Sequence, residues 1–134
     1  VERKSLFESR AIMRILVVED EVIVARDLQN ILSGCGYFVT GLASSGEESI
    51  QKAEAMHPDL VLMDIRLKGN MDGIEAGHRI HDNLHIPIIY VTALGDEITL
   101  ESINRKNGFP RILKPFEEKE IERVIQKFLP GNNN

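Results

Sequence analysis

The sequence predicts an α/β fold, an open parallel five-stranded sheet in the order 2-1-3-4-5 with helices on both faces. Three observations carry this expectation. Short β-rich apolar runs recur at Ile15-Leu16-Val17-Val18, Leu60-Val61-Leu62-Met63, Ile88-Ile89-Tyr90-Val91 and Ile112-Leu113, and such runs read as buried parallel strands. Segments with helical spacing alternate with them through short connections, which implies βαβ crossovers and a parallel sheet. Each run also ends in a residue with chemistry to offer: Glu19-Asp20, Asp64, Thr92 and Lys114-Pro115. Ligands of open α/β sheets bind at the carboxyl ends of the strands, and the order 2-1-3-4-5 makes strands 1 and 3 neighbours. Asp20 and Asp64 then sit side by side.

The elements follow in order. Residues 1–12 mix charged and apolar residues without a period and read as a leader or extension, with the domain over 13–130. After the first strand, Val22, Ala25, Leu28 and Leu32 recur at helical spacing, and Gly34 to Gly36 stops the helix. A second strand is expected over 37–40. Ser44-Ser45-Gly46 opens a helix with Glu47 and Glu48 in its first turn, where acids suit the helix dipole. His57-Pro58 ends it, and the third strand follows. Lys68-Gly69-Asn70 forms a loop, and Asp72-Gly73 starts a helix with Ile74, Gly77, Ile80 and Leu84 on one face. Pro87 enters the fourth strand where a missing N–H costs least. A helix over about 96–105 is broken by Asn107-Gly108. Beyond the fifth strand, Ile121, Val124, Ile125, Phe128 and Leu129 mark a final amphipathic helix, and 131–134 is a tail or linker stub.

Composition bounds the function. The chain has 134 residues, enough for one domain with a sizeable core. Its net charge of −5 argues against direct nucleic-acid binding by this domain, which needs a basic face. No apolar stretch reaches the ~18–20 residues of a membrane span, and no secretion signal opens the chain. Cys35, the single cysteine, makes no intrachain disulfide. The expected compartment is a reducing cytoplasm.

Clustered acids in a shielded cleft repel unless a cation offsets them. Oxygen ligands without cysteine favour a hard divalent ion, Mg²⁺ with Mn²⁺ as the alternative. Glu19 and Asp20, adjacent at a strand-to-helix corner, fit the metal role. Asp64 fits a nucleophile that forms an aspartyl phosphate. Phosphoryl transfer needs in-line positioning and neutralised equatorial oxygens. The ion, the Lys114 ammonium and the Thr92 hydroxyl with nearby N–H groups each have one oxygen to serve. Pro115 biases Lys114 toward an extended backbone.

With these residues assembled, the chain resembles a response-regulator receiver domain, the phosphoacceptor of two-component systems. The resemblance covers about 14–129 and rests on ILVVEDE, LVLMDIRL, MDGIEA, IIYVTA and ILKPF, in that order. It implies a flavodoxin-like (βα)5 fold with Asp64 as the phosphorylated residue. It makes Asp20 a direct Mg²⁺ ligand, and Glu19 a ligand directly or through water. The Arg66 backbone carbonyl would be the third protein contribution to the ion. Thr92 corresponds to the switch hydroxyl and Lys114 to the ammonium partner. The implied partners are a sensor histidine kinase or histidine phosphotransfer protein. A downstream effector or output domain would be met through the fourth helix, fifth strand and fifth helix, and a homodimer is a further option.

Two positions depart from the family pattern. Arg111 stands where many relatives carry the aromatic residue that swaps rotamers on activation. The loop after Asp64 runs through Lys68-Gly69-Asn70 where many relatives have a proline, so an altered loop is expected. Arg66 and Leu94, each two residues beyond Asp64 and Thr92, are expected to tune the lifetime of the aspartyl phosphate, Arg66 by restricting the attacking water. Other residues draw plainer expectations. His78, His81 and His85 are solvent-facing or half-buried and not a metal site, Cys35 is inert at a turn, and Tyr90 is core.

The expected function is a stoichiometric phosphoacceptor switch, not a turnover enzyme. Two alternatives stand beside it. One is an interaction module not controlled by phosphorylation, which Arg111 keeps open. The other is an aspartyl-phosphate phosphatase, which would want an acid where Arg66 stands.

Overall fold

The computed structural model describes residues 12–93, 95–96 and 110–129. Leu94, the helix expected over 96–105 beyond Asp96, the leader up to residue 11 and the tail fall outside the described residues. The elements are β1 (Arg14–Val18), α1 (Val22–Gly34), β2 (Phe38–Ala43), α2 (Gly46–Met56) and β3 (Leu60–Asp64). Then come α3 (Gly73–Leu84), β4 (Ile88–Thr92), β5 (Arg111–Leu113) and α4 (Glu118–Gln126). The strands form one sheet in the order β2-β1-β3-β4-β5, parallel throughout.

Side chains alternate between the two faces of the strands, as a pleated backbone requires. Leu16, Val18, Val61, Met63, Ile88 and Tyr90 point to the side covered by α2 and α3. Ile15, Val17, Leu60, Leu62, Ile89, Val91 and Ile112 point to the side covered by α1 and α4. β1, β3 and β4 are thus apolar on both faces, which is why they read as unbroken apolar runs. The edge strand β2 does not. It extends to Ala43, three residues beyond its expected end, pairing Val18 with Ala43 after a register shift between Ile15 and Leu16. Thr40 and Gly41 break its apolar pattern, so periodicity could not show its length.

Local chemistry sets the helix ends. The Ser45 hydroxyl accepts from the Glu48 N–H at 3.1 Å, while the Glu48 carboxylate accepts from the Ser44 N–H at 2.8 Å. This is a variant of the reciprocal capping box. Asp72 caps α3 by accepting from the Glu75 N–H at 2.9 Å. His57 and His85, both left-handed, end α2 and α3. Gly73 is required by a close approach, since a methyl there would collide with the Asp64 carbonyl oxygen. The first turn of α3 therefore packs directly on the end of β3.

Candidate functional site

Strand order brings the polar strand ends together. Val18 pairs with Met63 and Asp64 with Val91. Glu19 and Asp20 follow β1, Asp64 ends β3, Thr92 ends β4, and Lys114 follows β5, so all five residues sit at one edge of the sheet. Glu19, Asp20 and Asp64 each offer a carboxylate oxygen, and these oxygens lie within 4.8 Å of one another. Lys114 Nζ reaches across to Glu19 Oε1 at 3.2 Å and to Asp64 Oδ2 at 3.3 Å. The Lys114–Pro115 peptide bond is cis.

Backbone N–H groups hold the acids in place. The Glu21 N–H donates to Glu19 at 3.1 Å, the Arg66 N–H to Asp64 at 3.2 Å, and the Lys68 N–H to Asp20 at 3.3 Å. The loop through Lys68 and Gly69 therefore touches the acidic pair. Gly69 sits at a φ of 107°, a conformation that suits glycine.

Charge is crowded here. Burial pushes the Glu19 carboxyl up to about 7, and the neighbouring Asp64 adds to the rise, against the lowering effects of the Glu21 N–H and Lys114. Burial acts to lower the Lys114 ammonium, but the charges of Asp64 and Glu19 outweigh it and hold the group above its usual range. One ammonium thus contacts two of three clustered carboxylates. The donors are all oxygen, which suits a hard divalent cation such as Mg²⁺.

Thr92 is buried, and its hydroxyl has no hydrogen-bond partner among the described residues. Arg111 is half-buried in β5, in register with Tyr90. Tyr90 lies wholly inside, its ring packed over Gly77, as expected of a core residue. His78 is half-buried, while His81 and His85 are exposed. The Cys35 Sγ lies 3.8 Å from a Glu118 oxygen, and burial with the nearby Glu122 and Glu118 raises its pKa, which suits an unreactive thiol.

One residue of this edge escaped the sequence reading. Arg66, expected to crowd the acceptor, turns its guanidinium onto Asp96, with Nε to Oδ1 at 2.7 Å. The other Asp96 oxygen accepts from the Ala93 N–H at 3.1 Å, and the Asp96 N–H donates to the Ala93 carbonyl at 3.0 Å. An aspartate four residues beyond a strand end, just after a glycine, is a turn signal that could have drawn attention to it.

The profile of the response regulator receiver domain matches residues 15–126. The transcriptional regulatory protein PdtaR of Mycobacterium tuberculosis is 32% identical over 113 residues, which are 84% of this chain and 55% of that protein. Among solved structures, the signal receiver domain of a modulated diguanylate cyclase from Desulfovibrio desulfuricans superposes with a TM-score of 0.79 at 34% identity. That match covers 87% of this chain and 92% of the other. The receiver domain of PhyR from Erythrobacter litoralis gives a TM-score of 0.79 at 27% identity, covering 92% and 95%. The chain spans about half the length of the first curated relatives it matches. No helix among the described residues is long and apolar enough to cross a membrane.

Proposed function

The chain belongs to the response regulator receiver family, and from that membership we propose that it is a Mg²⁺-dependent switch phosphorylated on Asp64. The observation that carries this reading is the Lys114 ammonium bridging Asp64 and Glu19 while three carboxylates share one small space. A solvated acidic corner would not bury Glu19 or draw in a lysine from another strand end.

Asp64 Oδ attacks the phosphorus of a phosphohistidine on a kinase or phosphotransfer protein. The P–N bond breaks, the imidazole keeps its electron pair, and an acyl phosphate forms. Lys114 then exchanges part of its contact with Asp64 for a phosphoryl oxygen. Glu19, Asp20, Asp64 and the Arg66 carbonyl would hold Mg²⁺, which neutralises phosphoryl oxygens when bound. The orphaned Thr92 hydroxyl is a donor in search of an acceptor, and a phosphoryl oxygen on Asp64 supplies one.

Phosphorylation adds about −1.5 to −2 of charge, which shifts the balance between two conformations and not the fold. The changed surface around β5 and the last helix meets an effector or output domain in the cytoplasm, with a homodimer as a further option. The domain promotes its own phosphorylation and does not turn over substrate. Arg111, Leu94 and Arg66 are the positions proposed to tune the switch.

Intact mass after incubation with phosphoramidate, with and without Mg²⁺, tests this on wild type and Asp64→Asn. A single phosphoryl adduct that requires both Mg²⁺ and Asp64 is the expected result. No adduct would shift the reading to an interaction module without phosphorylation.

A further inference from the structure

The Arg66–Asp96 ion pair has no part in the site chemistry, yet it ties two loops together across the phosphoacceptor edge. Arg66 belongs to the loop after β3, and its own N–H is bonded to Asp64. Asp96 belongs to the turn after β4, immediately beyond Thr92. The Asp96 side chain is 4% exposed, and its cationic partner among the described residues is the Arg66 side chain, itself 75% exposed. The same carboxylate holds the Ala93 N–H, and Ala93 is the residue after Thr92. Asp96 thus has one oxygen on the phosphoacceptor loop and one on the switch backbone.

We propose that Asp96 is a positioning residue of the switch: paired with Arg66 it clamps the backbone after Thr92, and a phosphoryl group on Asp64 releases the clamp by drawing Arg66 away. This rests on the reading of Asp64 as the phosphorylated residue. A phosphoryl group carries more charge than the Asp96 carboxylate and several acceptor oxygens, so it competes well for a guanidinium anchored two residues from it. A cleft of about 320 Å³ lined by Ile65, Arg66, Leu67, Asp72, Ile74 and Asp96 gives the side chain room to move. Once Arg66 leaves, Asp96 is a buried carboxylate without a countercharge, an unfavourable state that drives it toward water. The Ala93 N–H then loses its acceptor, and the backbone carrying Thr92 is free to shift.

The test is NMR on the ¹⁵N-labelled full chain, unmodified and phosphorylated by phosphoramidate with Mg²⁺, with adduct followed by intact mass. The Arg66 Nε–H resonance reports the exchange of partners, and Ala93 amide hydrogen exchange reports the clamp. As adduct forms on wild type, the Arg66 signal moves and Ala93 exchange rises about tenfold, the size expected for one charge-assisted hydrogen bond. In Arg66→Gln and in Asp96→Asn, Ala93 exchange in the phosphorylated fraction differs from the unmodified by less than about twofold, because no pair remains to exchange. A purely structural role for the pair would leave that response intact in both variants, and this result overturns the proposal. So does a wild-type adduct that leaves both signals in place, with the phosphoacceptor reading still standing. Absence of any adduct removes that reading and the clamp with it.

Discussion

Replacing Glu19 by glutamine isolates the electrostatic cost built into this site. Glu19 is 3% exposed, and burial together with the nearby Asp64 lifts its carboxyl from the ordinary 4.5 to about 7. The folded state therefore keeps the proton to a higher pH than the unfolded chain does. The associated stability is fully present below pH 4.5 and is lost as pH rises through about 7. At about 1.4 kcal/mol for each pH unit, the ceiling on this loss is about 3 kcal/mol. Glutamine keeps the shape of the protonated acid and cannot ionise. Without divalent cations, Glu19→Gln is expected to be about 1–3 kcal/mol more stable than wild type at pH 8, with the gap closing toward pH 4.5. Urea denaturation in EDTA across this pH range measures it. Millimolar Mg²⁺ at pH 8 should reverse the order, because wild type gains a bound ligand that the variant holds poorly. A variant no more stable than wild type at pH 8, or a gap that ignores pH, would refute the argument that the Glu19 charge is costly here.

Three further outcomes follow from the packing. Gly73→Ala is expected to lose about 1–3 kcal/mol in urea denaturation, since its methyl meets the Asp64 carbonyl; full stability would mean that α3 steps back freely. Thr92→Val should leave the unmodified protein equally stable or about 1 kcal/mol more so, because it deletes a buried hydroxyl that has no partner among the described residues. The same variant should take up the phosphoryl group, as seen by mass, without the amide shifts expected of wild type at Thr92, Ala93 and Asp96. Ser45→Ala should cost about 1 kcal/mol through its lost cap on α2, read as a lower urea midpoint at unchanged slope.

The parts of this protein legible in sequence are those in which neighbours along the chain carry the signal. β1, β3 and β4 are buried on both faces, so each shows as an apolar run whose last polar residue marks a strand end. Ser45 and Asp72 announce α2 and α3 because a cap acts on an N–H three residues away. The five candidate residues could be placed together for the same reason: strand ends are visible in the sequence, and parallel topology sends them to one edge. β2 was shortened because an edge strand with Thr40 and Gly41 keeps no clean period.

Sequence alone thus determined the fold class and the strand order, and it placed five polar residues at the strand ends of one sheet edge. Tertiary structure decided which charges meet. Lys114 lies 95 residues from Glu19, and Arg66 lies 30 from Asp96. No local pattern encodes such pairings, because they depend on where loops from different strands come to rest. The depth of Glu19, the orphaned hydroxyl of Thr92 and the two-handed hold of Asp96 are consequences of that packing. Burial turns an ordinary carboxylate into one whose charge is costly, and packing sets an ordinary loop contact, Arg66 on Asp96, against the backbone after Thr92.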